Sequence, residues 1–195
     1  MDSWDAFEPV SLKPSGIVTE AFLAKEILDF RAAAAYVEQL PYGRNTPPSE
    51  VLTVIREGRG TCSTKHALLR RLALEQDLDV ALVIGIYEMT ESNTPGVGMI
   101  LAAHSLHCLP EAHCYLRLGQ RRIDVTRGLG RVQATPIMSF LYEEEIAPDQ
   151  IGDYKVRLHQ RFLLQWAQED HNGMKYTVEH LWRIREQCIA ALTQP

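Results

Sequence analysis

The period of the apolar positions changes several times along the chain, and each change marks an element. From Thr19 to Leu40, Leu23, Ile27, Phe30 and Ala34 recur at helical spacing in text rich in Ala, Leu, Glu and Lys. This predicts one amphipathic helix, closed by Pro41-Tyr42-Gly43. Pro47-Pro48-Ser49-Glu50 opens a short helix to about Glu57, and Gly58-Arg59-Gly60 breaks the chain. Thr61 then stands as the N-cap of a third helix running to about Gln76. From Asp79 to Met89 the run Val80-Ala81-Leu82-Val83-Ile84-Gly85-Ile86-Tyr87 is apolar and rich in β-branched residues, the signature of a buried strand. Glu91 to Gly98 reads as a loop and Met99 to Leu109 as a short helix. Ala112 to Leu118 and Arg121 to Thr126 form a hairpin about Gly119-Gln120. Irregular text with Gly128 and Gly130 runs on to Leu141, and Glu143-Glu144-Glu145 reads as a solvated charge run. Two helices, about Asp149 to Glu169 and Tyr176 to Leu192, split at His171-Asn172-Gly173, close the chain. The first 18 residues, with Pro9, Pro14 and Gly16, read as an extended lead-in. Helices, a central strand group, then helices again describe an α+β fold in one domain spanning residues 1–195, with C-terminal helices over 149–192.

Composition narrows the function class. At 195 residues with 46% hydrophobic and 23% charged positions, the chain has enough apolar material for a core. A net charge of −5 argues against a nucleic-acid partner, which needs clustered Lys and Arg. No apolar run approaches the roughly 18 residues that would cross a membrane. The acidic start Met1-Asp2-Ser3-Trp4-Asp5 is unlike a signal peptide. Four unevenly spaced cysteines do not make a disulfide scaffold. The expectation is a soluble, reduced, cytoplasmic protein.

Candidate chemistry begins at Cys62, which follows two glycines and a capping residue in the first turn of the third helix. The helix dipole and N-terminal N–H groups there favour an anion, so the thiolate should be promoted, and those N–H groups can hold an oxyanion. On the helix, Cys62 shares a face with His66, Leu69, Leu72 and Ala73, the core side. A base comes from the hairpin. With Gly119-Gln120 as a two-residue turn, Leu118 pairs with Arg121, Leu116 with Ile123 and Cys114 with Val125. The other face then sets Tyr115 across from Asp124 and His113 across from Thr126. His113 and Asp124 become diagonal neighbours, roughly 7–8 Å apart at the backbone. A carboxylate that orients an imidazole leaves its second nitrogen to take a thiol proton.

Gly60-Thr61-Cys62 followed by Ala67-Leu68-Leu69 resembles the glycine–x–cysteine helix start of the transglutaminase-like superfamily. His113-Cys114-Tyr115-Leu116-Arg117-Leu118 and Arg121-Arg122-Ile123-Asp124-Val125-Thr126 resemble its His strand and Asp–x–Thr strand. The match covers about Tyr42 to Arg127. The resemblance implies a papain-like α+β core, with the Cys-bearing helix packed on an antiparallel sheet that carries His113 and Asp124, and helices flanking it. It also implies a Cys62, His113, Asp124 triad in a thiol hydrolase or acyltransferase, with no cofactor. By the same resemblance Tyr42, with Asn45 as a second candidate, assists the oxyanion, and Thr61 and Tyr115 border the site. Relatives often carry Trp at the position of Tyr115 and an acidic residue at that of Thr64.

The function expected is thus cysteine-dependent acyl transfer or amide and peptide hydrolysis through a thioester, on a peptide, amide or small acyl donor. Two alternatives come from other classes. One is a non-catalytic interaction module of the same fold. The other is a metal-binding protein using the cluster His104, His107, Cys108, His113 and Cys114, whose spacing fits no standard zinc motif and whose residues 113 and 114 point to opposite strand faces. Arg59, Arg121, Arg122 and Arg127 read as solvated or paired arginines rather than a basic patch. The stripe Val178, Leu181, Ile184 and Ile189 reads as core, part of which could serve a dimer.

Overall fold

The computed structural model describes residues 3–126, 135–137, 139–168 and 176–192. Arg127, Gly128, Gly130 and the His171-Asn172-Gly173 break lie outside them. The fold is α+β. Among the described residues the helices are α1 (Ile17–Leu23), α2 (Phe30–Gln39), α3 (Thr53–Glu57), α4 (Cys62–Glu75), α5 (Gly98–Ala103), α6 (Asp153–Ala167) and α7 (Val178–Ala191). Among the described residues four strands, β1 (Ala81–Met89), β2 (Leu109–Leu118), β3 (Arg121–Ile123) and β4 (Tyr142–Ile146), form one antiparallel sheet in the order β3-β2-β1-β4.

The contacts divide the chain into two units, and β1 and β2 run on from one into the other. The first unit comprises residues 1–84, 114–131 and 144–152. Its centre is α4, against which α1, α2, α3 and the 3-10 turn Pro148–Ile151 pack. Phe22 of α1, Phe30, Ala33, Ala34 and Val37 of α2, and Leu68, Leu69, Leu72 and Ala73 of α4 are fully buried where these helices pack. α1 has Gly16 at its N-cap, and Glu75, the last residue of α4, caps it instead. The Glu75 carboxylate accepts from Val18 N–H at 3.2 Å, Thr19 N–H at 2.7 Å and the Thr19 hydroxyl at 2.8 Å. A side chain at Gly16 would stand 2.2 Å from that carboxylate carbon, so glycine is what admits this cap.

The second unit comprises residues 85–113, 132–143 and 153–195. Its core joins Tyr87 and Met89 of β1, Leu101 of α5, Leu109 of β2, Leu163 of α6, and Leu181, Ile184 and Cys188 of α7. Beside it lies a buried ion pair. Arg185 donates to Glu111 twice, at 2.8 and 2.7 Å, and His159 Nε2 donates to the Pro110 carbonyl at 2.8 Å. Burial alone would raise the Glu111 carboxyl, but the Arg185 guanidinium, helped by His159 and Lys155, holds it down to about 2. Burial pushes His159 below its ordinary value, which outweighs its attraction to Glu111.

Several boundaries depart from the sequence expectations. The single helix from Thr19 to Leu40 is two helices. Ile27 N–H bonds the Phe22 carbonyl, Glu26 N–H bonds that of Leu23, and Glu26 has φ of 60°. This is a Schellman stop built on a glutamate, and Asp29 recaps the chain by accepting from Ala32 N–H. The lead-in is not wholly extended: Trp4–Ala6 form a 3-10 turn, Phe7 packs edge-on to Phe30 at 4.9 Å, and α1 already begins at Ile17. The helix expected from Pro47 is reduced to Thr53–Glu57 and ends at Gly58, with φ of 62°. α6 begins at Asp153, after the 3-10 turn, instead of Asp149. The solvated run Glu143-Glu144-Glu145 is an edge strand, with Arg117 of β2 paired to Glu145.

Candidate active site

The start of α4 is built as expected, and further than expected. Thr61 is the N-cap, and its hydroxyl accepts from Thr64 N–H at 3.3 Å. Thr64 Oγ1 in turn accepts from Thr61 N–H at 2.9 Å, closing a reciprocal box with threonine in the place usually held by Glu or Gln. The same Thr64 hydroxyl donates to Asn45 Oδ1 at 2.7 Å. Asn45 is buried, and its amide donates to the Arg59 carbonyl at 3.0 Å and to Glu57 at 3.3 Å. Asn45 therefore fastens the loop before α3 to the cap of α4. Tyr42 forms a parallel bridge with Gly60, with Gly43 N–H to the Gly60 carbonyl at 3.2 Å and Gly60 N–H to the Pro41 carbonyl at 3.1 Å. A Cβ at Gly60 would lie 2.8 Å from Lys65 Cγ and 3.0 Å from Thr64 Oγ1. Only glycine lets the Tyr42 segment and the helix cap come this close.

Cys62 is the first residue of α4 and 8% exposed, with Sγ 3.8 Å from the Ser63 hydroxyl. Two buried side chains then fix its surroundings: Lys65, which the helical pattern did not single out, and His66, which it placed on the core face with Cys62. Lys65 is fully buried, and its ammonium donates to the carbonyls of Leu40 at 2.6 Å, Thr126 at 2.8 Å and Glu38 at 3.4 Å. Three N–H donors meet three carbonyls, which offsets the cost of placing the charge there. His66 is also fully buried. Its Nδ1 bonds the Cys62 carbonyl at 2.7 Å, and Val125 N–H donates to its Nε2 at 2.9 Å. Those partners define a neutral ring with the proton on Nδ1. Nε2 also lies 3.6 Å from Asp124 Oδ1, and with the Val125 proton between ring and backbone this is a contact, not an ion pair.

Asp124 follows β3 directly. Its Oδ1 accepts from Thr126 N–H at 2.9 Å and from the Thr126 hydroxyl, a local turn that sets the rotamer of the carboxylate. The hairpin register is the expected one, Leu118 with Arg121, Arg117 with Arg122 and Leu116 with Ile123. Gly119 has φ of 57° and Gln120 does not share that sign, a type II′ turn. β3 ends at Ile123, however, so the pairing expected to reach Thr126 stops where Asp124 turns to Thr126. Tyr115 is fully buried in β2, and both faces of that strand are covered up to Leu116.

Tyr42, Asn45, Thr61, Cys62 and Asp124 thus all belong to the first unit, linked through Gly60, Thr64, Lys65 and His66. His113 belongs to the second. It is 8% exposed, with its ring edge-on to Tyr87 at 6.1 Å, and the Tyr87 hydroxyl is 3.0 Å from Thr94 Oγ1. Among the described residues no three His, Cys, Asp or Glu side chains gather as metal ligands. His104 bonds Gln187 instead, and Cys108 faces Glu88. Arg59 is paired with Glu57. Burial, reinforced by Glu88, pushes the Cys108 thiol up to about 11, and burial with Glu111 nearby does the same to Cys188. Among the described residues no helix is long and apolar enough to cross a membrane. Comparison with protein-family models, with curated proteins and with solved structures finds no match in any of the three.

Proposed function

We propose that this chain is a cysteine-dependent acyl transferase or amide and peptide hydrolase with a transglutaminase-like core. Cys62 is the nucleophile, His113 the base and Asp124 its orienting group. The observation that carries the reading is the setting of Cys62, at the head of a capped helix whose first carbonyl is tied through His66 to the segment bearing Asp124. The helix start supplies positive potential and N–H groups where charge develops on a carbonyl oxygen. For His113 the support is strand parity. It alternates with Tyr115 and Arg117 on one face of β2, and Arg117 pairs with Arg122 of β3, the strand whose end leads directly into Asp124.

In this mechanism Cys62 Sγ attacks the carbonyl carbon as His113 takes the thiol proton, and the carbonyl electron pair moves onto oxygen. The Cys62 N–H and the Tyr42 side chain donate to that oxyanion. Collapse breaks the bond to the leaving amine, which receives the proton from His113, and leaves a thioester on Cys62. Water or a second amine attacks the thioester, with His113 accepting the proton and returning it to the sulfur. The product is an acid or a new amide, and no cofactor enters.

The test is iodoacetamide labelling at pH 7 read by peptide mass spectrometry. Cys62 is expected to alkylate at least about tenfold faster than Cys108 and Cys188, whose thiols stay protonated, and His113→Asn should slow Cys62 alone. p-Nitrophenyl acetate should release a burst of one nitrophenolate per chain that Cys62→Ala abolishes. Cys62 reacting no faster than Cys188 would overturn the reading.

A further inference from the structure

α6 has two stripes. Lys155, Leu158, His159 and Leu163 are buried in the second unit. Tyr154, Arg157, Arg161 and Leu164 recur at spacings of three, four and three along a neighbouring face, and line a groove of about 670 Å³ whose other wall is Val178 and Glu179 of α7. That volume is within the range of about 300–1,000 Å³ typical of ligand clefts. Leu164 is 51% exposed at one end, an apolar side chain left in water. Among the described residues neither Arg157 nor Arg161 has a hydrogen-bond or ion-pair partner. Elsewhere Arg56, Arg59, Arg71, Arg117 and Arg185 each pair with a glutamate. In a chain with 25 acidic and 20 basic residues, two unpaired guanidiniums one helical turn apart are a local excess of positive charge beside exposed apolar surface.

We infer that this groove binds an acidic peptide segment of a partner protein, with carboxylates on Arg157 and Arg161 and an apolar side chain between Leu164 and Val178. Guanidiniums pair carboxylates through paired N–H donors, and the apolar floor rewards an aliphatic side chain beside them. A lone phosphate leaves most of the groove empty. A nucleic-acid strand brings its charge against Glu179, whereas a peptide can turn a backbone N–H toward that carboxylate. The inference is independent of the chemistry at Cys62.

Fluorescence anisotropy with a fluorescein-labelled dodecapeptide of repeating Glu-Leu-Glu-Ala tests it. Saturable binding is expected, weakened at least about tenfold by the paired substitution Arg157→Glu with Arg161→Glu and by exchanging every peptide glutamate for glutamine. Leu164→Ser should weaken it about threefold or more, and binding should fall between 50 and 300 mM salt. These side chains line an open groove, so circular dichroism and thermal unfolding of the variants should match the parent and separate lost binding from lost fold. No saturable binding, or binding indifferent to the charge reversal, overturns the inference. Displacement by inorganic phosphate as effective as by unlabelled peptide overturns it in favour of a simple anion site. Concentration-dependent self-association abolished by the same pair overturns it in favour of a second copy of this chain.

Discussion

Glu26, Asp77 and Ser105 sit at left-handed φ of 60°, 54° and 57°, each just past the end of a helix. At each, the following residue bonds back five positions and the residue itself bonds back three: Leu78 to Ala73 and Asp77 to Leu74, Leu106 to Leu101 and Ser105 to Ala102, as at Glu26. Three Schellman stops are therefore built without glycine, the residue that adopts this conformation freely. All three side chains are exposed, and none has a hydrogen bond or ion pair among the described residues, so substitution removes no contact. The left-handed conformation costs an L-residue about 1–2 kcal/mol. Glycine relieves that cost but gives back about 0.5–1 kcal/mol through the freedom of its unfolded chain. The net gain is about 0.5–1 kcal/mol per site, largest at Glu26 and smallest at Asp77, since Asp tolerates this region best. Combined in Glu26→Gly, Asp77→Gly and Ser105→Gly, about 2 kcal/mol raises Tm by roughly 4–8 °C in a chain of this length. Urea and thermal unfolding measure it, with Glu20→Gly at an exposed position inside α1 as the control, expected to lose about 1 kcal/mol. If the triple variant melts at or below the parent while the control behaves as stated, left-handed strain is not what these residues carry.

Two further outcomes follow from buried charge. Glu111→Ala leaves Arg185 without its bidentate partner and should cost about 3–5 kcal/mol in urea unfolding. The Glu111 carboxyl sits near 2 when folded, against an ordinary 4.5, so its contribution is complete above pH 4.5 and is lost as pH falls from there toward 2. His159, depressed by burial, acts in the same direction from pH 6.5 downward, because the unfolded chain takes its proton first. Glu111→Gln should flatten the decline in Tm between pH 4.5 and 2, and parallel profiles for parent and variant would remove that account. Lys65→Met abandons the carbonyls of Glu38, Leu40 and Thr126, and should cost about 3 kcal/mol or more in thermal unfolding. A loss below about 0.5 kcal/mol would mean the ammonium does not hold them.

What could be read in advance follows a physical division. The start of α4 was legible because Gly60-Thr61-Cys62 combines a breaker, a capping hydroxyl and a change of period, all local signals. The hairpin register was legible because a two-residue turn fixes it arithmetically. The break between α1 and α2 was hidden because Glu26 occupies a position where glycine would have announced the stop. β4 was hidden because Glu143-Glu144-Glu145 has the composition of a solvated face, which an exposed edge strand also has. Lys65 was hidden for another reason, and His66, whose core face was legible, left its partners unread: those partners are backbone groups of Leu40, Thr126, Cys62 and Val125, and a main-chain partner leaves no mark on residue type. For Lys65 the one available sign was a lysine inside a helix whose neighbours Ala67, Leu68 and Leu69 demand burial.

Those two residues bear on the electrostatics of the candidate site. A cation in the first turn of a helix opposes the macrodipole, so Lys65 is placed against the ordinary preference by up to about 1 kcal/mol. It is held there because its stem crosses the core and its head finds three carbonyls, a geometry that a shorter or neutral side chain does not reach. The result is a helix start where buried ammonium and dipole have the same sign, and where the carbonyl of Cys62 is pinned by a neutral imidazole that brings no compensating charge. The helix start favours an anion, and the ammonium is shared with the buried Glu38, whose carboxyl Lys65 lowers while burial raises it. Under the proposed function it is this helix start on which a Cys62 thiolate would draw, and a cysteine kept only for its packing volume would not need it.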